Sequence, residues 1–396
     1  MPDHDLSVQK APVRLQPITA SERNVALDIL RGFALFGVLV AYALWSLGNP
    51  LEQTYSEVDR ILDRVLTALV DTKAYTLFAV LFGLGFSIQL TRATARGVSV
   101  VPAYLRRLLA LLLIGLVHAL LLRNGDILVP YAVMGSFLFL FRNVSNTTLV
   151  IGGLIGLLSP YLARAVWDLT GVPFPERPDT ESMSYIASNY AWVRYWYTTA
   201  ITLWPASLPM FLFGLYIGRR RFLDNIILYR RGLRVALIVG LAIGVLAFAA
   251  VALVSRTWTN APQLFLQRVT LGLLRSVHAW GLAAFYASSL LLLLQSPAWQ
   301  RRLAPLGAVG RMALTNYLLQ SVLIIPVCIA FGLFDRVTPS IGVLLALGVW
   351  TLQLPASVWW LKHYQFGPAE WVWRSLTYGR PQQMRTVHKQ NATVSA

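Results

Sequence analysis

Val235-Ala-Leu-Ile-Val-Gly240-Leu-Ala-Ile-Gly244-Val-Leu-Ala-Phe-Ala-Ala-Val-Ala-Leu-Val254 is a run without a single ionisable, amide or hydroxyl side chain. As an α-helix it would be about 30 Å long, the thickness of bilayer hydrocarbon. In lipid such a helix satisfies its own backbone hydrogen bonds, which few other structures can do. Working outward from it, nine more segments approach this length: 27–46, 74–91, 104–122, 127–142, 147–167, 200–218, 273–294, 312–333 and 340–361. The segment 127–142 is short for a span. The pattern predicts an all-α polytopic membrane protein with about ten transmembrane helices. It forms a single transmembrane helical domain over 26–380, with disordered polar tails at 1–25 and 381–396. The runs are continuous rather than alternating, which argues against a β-barrel.

Composition agrees. The chain has 396 residues, of which 13% are charged and 56% hydrophobic, with a mean hydropathy of +0.58. Soluble domains carry about 25% charged residues, so a soluble enzyme, a disordered chain and a coiled coil are excluded. The first apolar run is too long for a signal-peptide core and lacks a small-x-small cleavage site, so it is expected to stay as an anchor. The single cysteine, Cys328, permits no intrachain disulfide and no cysteine metal cluster.

The net charge of +17 would suggest nucleic acid in a soluble protein. Placing the N-terminus in the cytoplasm and alternating sides gives another account. The inside segments then hold 22 of the 34 basic residues against five acids, and the outside segments balance. The positive-inside rule therefore predicts both termini inside, contact with membrane lipids, and no nucleic-acid partner. Two outside loops are long. One, 47–73, contains an amphipathic pattern over 58–70 that predicts a surface helix. The other, 168–199, is rich in Tyr and Trp. It reads as an interfacial belt or as the lining of an acceptor site.

Ionisable groups inside spans are costly and are candidates for function. His118 lies in the outer half of the third span, and Asp126 follows at the turn into the fourth. A neutral imidazole there can take a proton from a hydroxyl, with a carboxylate to fix its tautomer. The alternative is a histidine that bridges helices. Arg275 and His278 share a face at the outer end of the eighth span, and a cluster with His118 and Asp126 is one arrangement open to them. Arg31 stands at the inner end of the first span with Asp28 at i−3, and Tyr42 lies on the same face about 16 Å deeper. Lys73 opens the second span. Asn316 and Gln320 form an i, i+4 polar pair in the ninth, read either as interhelical contacts or as part of a substrate site. Glu370 and Arg374 read as an i, i+4 pair on an interfacial helix. No P-loop, H-E-x-x-H, G-x-S-x-G or arginine ladder occurs, and no metal site is expected.

Five blocks in order resemble one family. They are Leu27-Asp28-Ile-Leu-Arg31-Gly32-Phe33-Ala34-Leu-Phe-Gly37, the run 77–85, Gly115-Leu-Val-His118 with Gly125-Asp126-Ile-Leu and Tyr131-Ala132, Gly310-Arg311-Met-Ala-Leu-Thr-Asn-Tyr, and Gly367-Pro-Ala-Glu370-Trp-Val-Trp-Arg374. They look like the YeiB-like bacterial inner-membrane family, long labelled a domain of unknown function, which is similar to the transmembrane acyltransferase superfamily. The resemblance implies a bacterial inner-membrane protein that moves an acyl group, most simply acetyl, from cytoplasmic acyl-CoA to an extracytoplasmic glycan, lipid or small-molecule acceptor. It implies a CoA-phosphate contact for Arg31 and contacts with acceptor or acyl group for Tyr42 and Arg275. Lys73, His278, Asn316 and Gln320 are candidate substrate contacts. In the polysaccharide O-acetyltransferases a catalytic histidine follows the arginine of the first span, and Tyr42 stands at that place here. Tyrosine, with a pKa near 10, is a poor base at neutral pH. His118 oriented by Asp126 is therefore the expected base. A transporter of a small metabolite is the alternative, although the internal repeat usual in carriers is missing.

Overall fold

The computed structural model describes residues 23–45, 55–180, 183–257, 265–334 and 336–386. Sixteen α-helices run through them: α1 (Val25–Trp45), α2 (Glu57–Leu69), α3 (Lys73–Ala95), α4 (Val101–Leu121), α5 (Leu128–Leu140), α6 (Asn146–Gly156), α7 (Ser159–Leu169), α8 (Tyr185–Thr198), α9 (Ala200–Leu203), α10 (Ser207–Arg219), α11 (Arg230–Thr257), α12 (Phe265–Leu293), α13 (Pro297–Arg311), α14 (Ala313–Ala330), α15 (Pro339–His363) and α16 (Pro368–Tyr378). The described residues form no strand beyond an isolated bridge between Tyr364 and Arg385. The protein is an all-α polytopic membrane protein.

Among the described residues eight stretches are long and apolar enough to cross a membrane, and a ninth if α6 and α7, bent by 50° at Leu157–Leu158, count as one span. The expected fourth span is shorter than a bilayer needs, an apolar helix over Leu128–Asn143. Its brevity is what places its N-terminal end in the middle of the site described below. The tails expected at the two ends lie largely outside the described residues. The part that is described, 381–386, folds back, with the Gln365 N–H donating to Met384 O at 2.8 Å.

Helix α11, which contains the run 235–254, packs on α12 at the bundle edge and leaves Ile238 and Leu246 about two-thirds exposed. With no polar side chain over 235–254, this part of the helix is suited to face lipid. The interior helices approach through small residues. A Cβ on Gly83 would come within 2.0 Å of Phe211 O, and one on Gly214 within 2.0 Å of Val80 O, so α3 and α10 touch backbone to backbone. Helices α1 and α13 cross in the same way at Gly32 and Gly310. The segment that forms α13 reads in the sequence as a cytoplasmic loop because Arg301, Arg302 and Arg311 interrupt its apolar residues. Between α3, α5 and α10 an aromatic core forms, with Phe82 stacked on Phe211 at 4.6 Å and the Tyr131 edge 5.0 Å from Phe211.

The amphipathic pattern over 58–70 becomes α2. Ser56 caps its start by accepting from Asp59 N, and the Asp59 carboxylate accepts from Ser340 N and Ser340 Oγ at 2.9 and 2.6 Å. Its last carbonyls, unsatisfied within any helix, meet three side chains. Lys73 Nζ donates to Thr67 O at 2.7 Å, His278 Nε2 faces Ala68 O at 3.0 Å, and Tyr286 OH donates to Leu69 O at 2.8 Å. Helix α2 is thereby fastened to α15 at one end and to α3 and α12 at the other.

Candidate functional site

Helix α4 ends at His118 and the following turn, and α5 begins just after Asp126, so the shortness of the connection brings the two side chains together. His118 Nδ1 lies 2.8 Å from Asp126 Oδ1, and both residues are buried. Asp126 Oδ1 also accepts from Tyr317 OH at 3.1 Å, and Oδ2 accepts from Val129 N at 2.9 Å, in the first turn of α5. Tyr317 OH in turn accepts from Ile127 N at 3.1 Å. The Asp126 carboxylate thus faces donors on both of its oxygens. It fixes the proton of His118 on Nδ1 and leaves Nε2 as an acceptor. Nε2 is 3.0 Å from Ser321 Oγ, one turn beyond Tyr317 on α14. Tyr42 lies beside Ser321, and the Arg123 guanidinium lies 3.8 Å from the centre of the Tyr42 ring. Helix α8 covers this turn: Asn189 donates to Ala119 O at 2.9 Å, and Trp196 Nε1 to Asn124 Oδ1 at 3.3 Å.

Two cavities approach this cluster from opposite ends. The first, of about 240 Å³, is edged by Arg23, Arg31, Arg92, Arg107, Arg311 and Arg374. These arginines gather at the end that the charge rule assigns to the cytoplasm. From there an apolar channel past Phe78, Phe82 and Leu111 reaches Ile127, Leu128 and Tyr317. Asp28 binds two of the arginines, Arg23 at 3.3 Å and Arg31 at 3.4 Å. Arg107 Nη1 donates to Gln89 Oε1 at 3.0 Å, and its guanidinium lies between the Phe82 and Trp373 rings. Six cations against Asp28 and Glu370 leave this mouth strongly positive. Burial pulls Arg374 down to about 10. Such burial weakens a guanidinium's hold on its proton only slightly at neutral pH, so the charge persists.

Glu370 departs from the expected pairing with Arg374. Its carboxylate instead caps α14, accepting from Leu314 N at 2.6 Å, Thr315 N at 3.1 Å and Thr315 Oγ1 at 2.5 Å. Burial holds its carboxyl above the usual carboxylate range, against the smaller downward pull of the Thr315 and Leu314 hydrogen bonds.

The second cavity, of about 420 Å³, opens at the other end, next to the α2–α3 turn. Tyr75, Trp196, Tyr197 and Trp204 line it together with Asp71, Asn124, Arg123 and Asp126. The aromatic residues of the loop 168–199 thus contribute to its wall. Ile127 lines both cavities.

The other sequence candidates lie apart from the His118–Asp126 pair. Lys73 and His278 are taken up in fastening α2, and His278 Nδ1 faces Gly244 O at 2.8 Å. Arg275 is exposed and interacts electrostatically with Asp71. Asn316 Nδ2 donates to Ser357 Oγ at 2.9 Å, and Gln353 Nε2 to Asn316 O at 2.8 Å, which ties α14 to α15. Gln320 is fully buried on the same stripe. Among the described residues no cluster of three or more His, Cys, Asp or Glu could hold a metal. Sequence reasoning did not single out Tyr317, Ser321, Arg123 or Arg107. The i, i+4 spacing of Tyr317 and Ser321 was a signal equal in strength to that of Asn316 and Gln320.

The role of His278 gives a prediction. His278→Ala should raise hydrogen exchange or proteolysis in α2 several-fold while it leaves ligand binding at the arginine-lined mouth unchanged. Loss of that binding in the variant would place His278 in the site after all.

Known proteins resemble the chain in two sections. Residues 23–168 match the family described as heparan-alpha-glucosaminide N-acetyltransferase, catalytic, which takes in Arg31, His118 and Asp126. Residues 217–380 match the family described as protein of unknown function DUF418, which takes in Tyr317, Ser321 and Glu370. The uncharacterized protein YxaH of Bacillus subtilis is 34% identical over 92% of this chain and 96% of its own length. An uncharacterized 39.9 kDa protein of Bacillus acidopullulyticus is 32% identical over 92% of this chain and 97% of its own length. The uncharacterized protein YeiB of Escherichia coli is 28% identical over 90% and 96%. No solved structure matches.

Proposed function

The chain belongs to the YeiB-like DUF418 family, and from that premise we propose that it is a membrane acyltransferase with acyl-CoA as donor and an extracytoplasmic acceptor. The observation that carries this reading is the position of the His118–Asp126 pair between two cavities of opposite character. The inner mouth suits a ligand with several phosphates and a long, mostly apolar arm. The phosphates of acyl-CoA would rest on Arg31, Arg107 and their neighbours, with the pantetheine arm and acyl group directed along the apolar wall. The outer cavity presents aromatic faces and a few polar groups, suited to an acceptor with a hydroxyl or amine. His118 serves as general base, Asp126 sets its tautomer, and the fixed geometry supplies orientation. The match of residues 23–168 to an acetyltransferase catalytic region supports acetyl as the group moved. A bacterial inner membrane is the location that fits this donor, because acyl-CoA is cytoplasmic.

The test is binding of acetyl-CoA to the purified protein by ligand-induced thermal stabilisation. Arg31→Ala and Arg107→Ala are each expected to weaken binding about ten- to a hundredfold, the effect of one charge-assisted hydrogen bond or more. Binding should also fall as salt rises. Two cavities on opposite faces of one wall are equally the geometry of an alternating-access carrier. No stabilisation by any acyl-CoA, together with counterflow of a small anion through the protein in vesicles, would favour that reading.

A further inference from the structure

We propose that Ser321 is the residue that carries the acyl group between the two cavities, as an ester on its Oγ. This rests on the acyltransferase reading above. In the structure the free nitrogen of His118 faces Ser321 rather than either cavity. Neither His118 nor Ser321 lines a cavity; Nδ1 is held by Asp126, and Nε2 lies 3.0 Å from Ser321 Oγ. The only proton that Nε2 is placed to receive is the one on Ser321. A hydroxyl, a histidine and a carboxylate linked in this order are the arrangement that activates a nucleophile, whatever the fold that supplies them. Here α14 brings the serine, α4 the histidine, and the turn before α5 the carboxylate.

The two cavities supply the second argument. They share Ile127; Tyr317 lines the first and Asp126 the second, and these two side chains are hydrogen-bonded to each other at 3.1 Å. A thioester that arrives from one side and an acceptor from the other need not meet if the wall itself takes the acyl group. Tyr42 lies beside Ser321, where its hydroxyl can donate to Oγ and leave the serine proton directed at Nε2. The motion that brings the thioester carbon to Oγ is a displacement of the Tyr317 ring, one turn away on the same face of α14.

The steps balance. Ser321 Oγ gives its proton to His118 Nε2 as it bonds to the thioester carbonyl carbon. Collapse of the tetrahedral intermediate breaks the C–S bond, and the CoA sulfur leaves with the proton from Nε2. The acceptor hydroxyl or amine then gives its proton to Nε2 and bonds to the same carbon. Collapse breaks the C–Oγ bond, and Ser321 recovers the proton. No oxidant, reductant or metal is needed.

The experiment is to mix the full-length protein in detergent with acetyl-, propionyl- or palmitoyl-CoA, without acceptor, quench in acid, and map adducts by peptide mass spectrometry. The expected result is one acyl mass on the peptide that holds Ser321, labile to hydroxylamine. It should be absent in Ser321→Ala, and retained as a thioester in Ser321→Cys. Ser321→Ala should still bind acyl-CoA with unchanged affinity, which a merely structural defect would not allow. Binding without an adduct on Ser321 would overturn this proposal and leave the acyltransferase reading intact. So would thiol release by Ser321→Ala at the wild-type rate while His118→Ala has lost it. If no thioester binds, the reading on which the proposal rests fails, and the proposal with it.

Discussion

Asp126→Asn is expected to lower the rate of thiol release from acyl-CoA by about 10⁴-fold, the loss found when the carboxylate that orients a catalytic histidine is made neutral. The reason lies in its contacts. Asp126 Oδ1 accepts from His118 and from Tyr317, and Oδ2 accepts from Val129 N. An asparagine has one acceptor and one donor where the aspartate has two acceptors. If its amide nitrogen takes the Oδ1 place, it faces His118 Nδ1 and forces the ring proton to Nε2, so that Ser321 loses its acceptor. If the nitrogen takes the Oδ2 place, it opposes Val129 N–H, and a buried donor is left unpaired at a cost of about 1–3 kcal/mol. The first case removes activity and spares the fold; the second lowers thermal stability. Thiol release by membranes that carry the variant, read beside its unfolding temperature in detergent, separates the two. A variant as fast as the wild type would remove Asp126 from the chemistry. Acyl-CoA binding should survive in either case, because the arginine-lined mouth lies at the other end of the first cavity.

Gly310→Ala is expected to destabilise the protein by about 3 kcal/mol or more, and to abolish acyl-CoA binding in whatever protein remains folded. A Cβ on Gly310 would stand 1.8 Å from Asp28 O and 2.7 Å from Gly32 N. Both are backbone atoms of α1, so no rotamer change can make room. Relief requires α1 and α13 to separate, and each carries part of the mouth: Asp28 and Arg31 on one, Arg311 on the other. Gly307→Ala is the control. Its Cβ would meet only Ile29 Cγ1, at 3.3 Å, a side-chain atom that can give way. A Gly310→Ala protein that melts and binds like the wild type would mean that this crossing is looser than the geometry requires. The same crossing explains why Gly32 and Gly310 recur in the blocks that carry the family resemblance. They mark where two backbones touch, and Gly310 also lines the first cavity.

The sequence alone determined the solvent and the fold class, and it supplies the expected orientation. Those follow from the free energy of moving twenty apolar residues into lipid and from the cost of moving arginine across it, and both are sums over local composition. It also brought His118 and Asp126 together, because a short turn between two helices leaves them few other places. The tertiary structure decided everything that depends on the rotation of one helix about its own axis. Helix α14 carries two polar stripes, Asn316 with Gln320 and Tyr317 with Ser321, whose spacing along the helix is identical. Only its contacts with α4, α5 and α15 turn the second stripe toward His118 and the first toward Ser357. Likewise Lys73 and His278 carry the same charge chemistry as groups in a site. They were committed to the end of α2 by helix neighbours far away in sequence. Spacing within a helix is set by the backbone, whereas the face that meets a partner is set by interhelical contacts that no local pattern encodes.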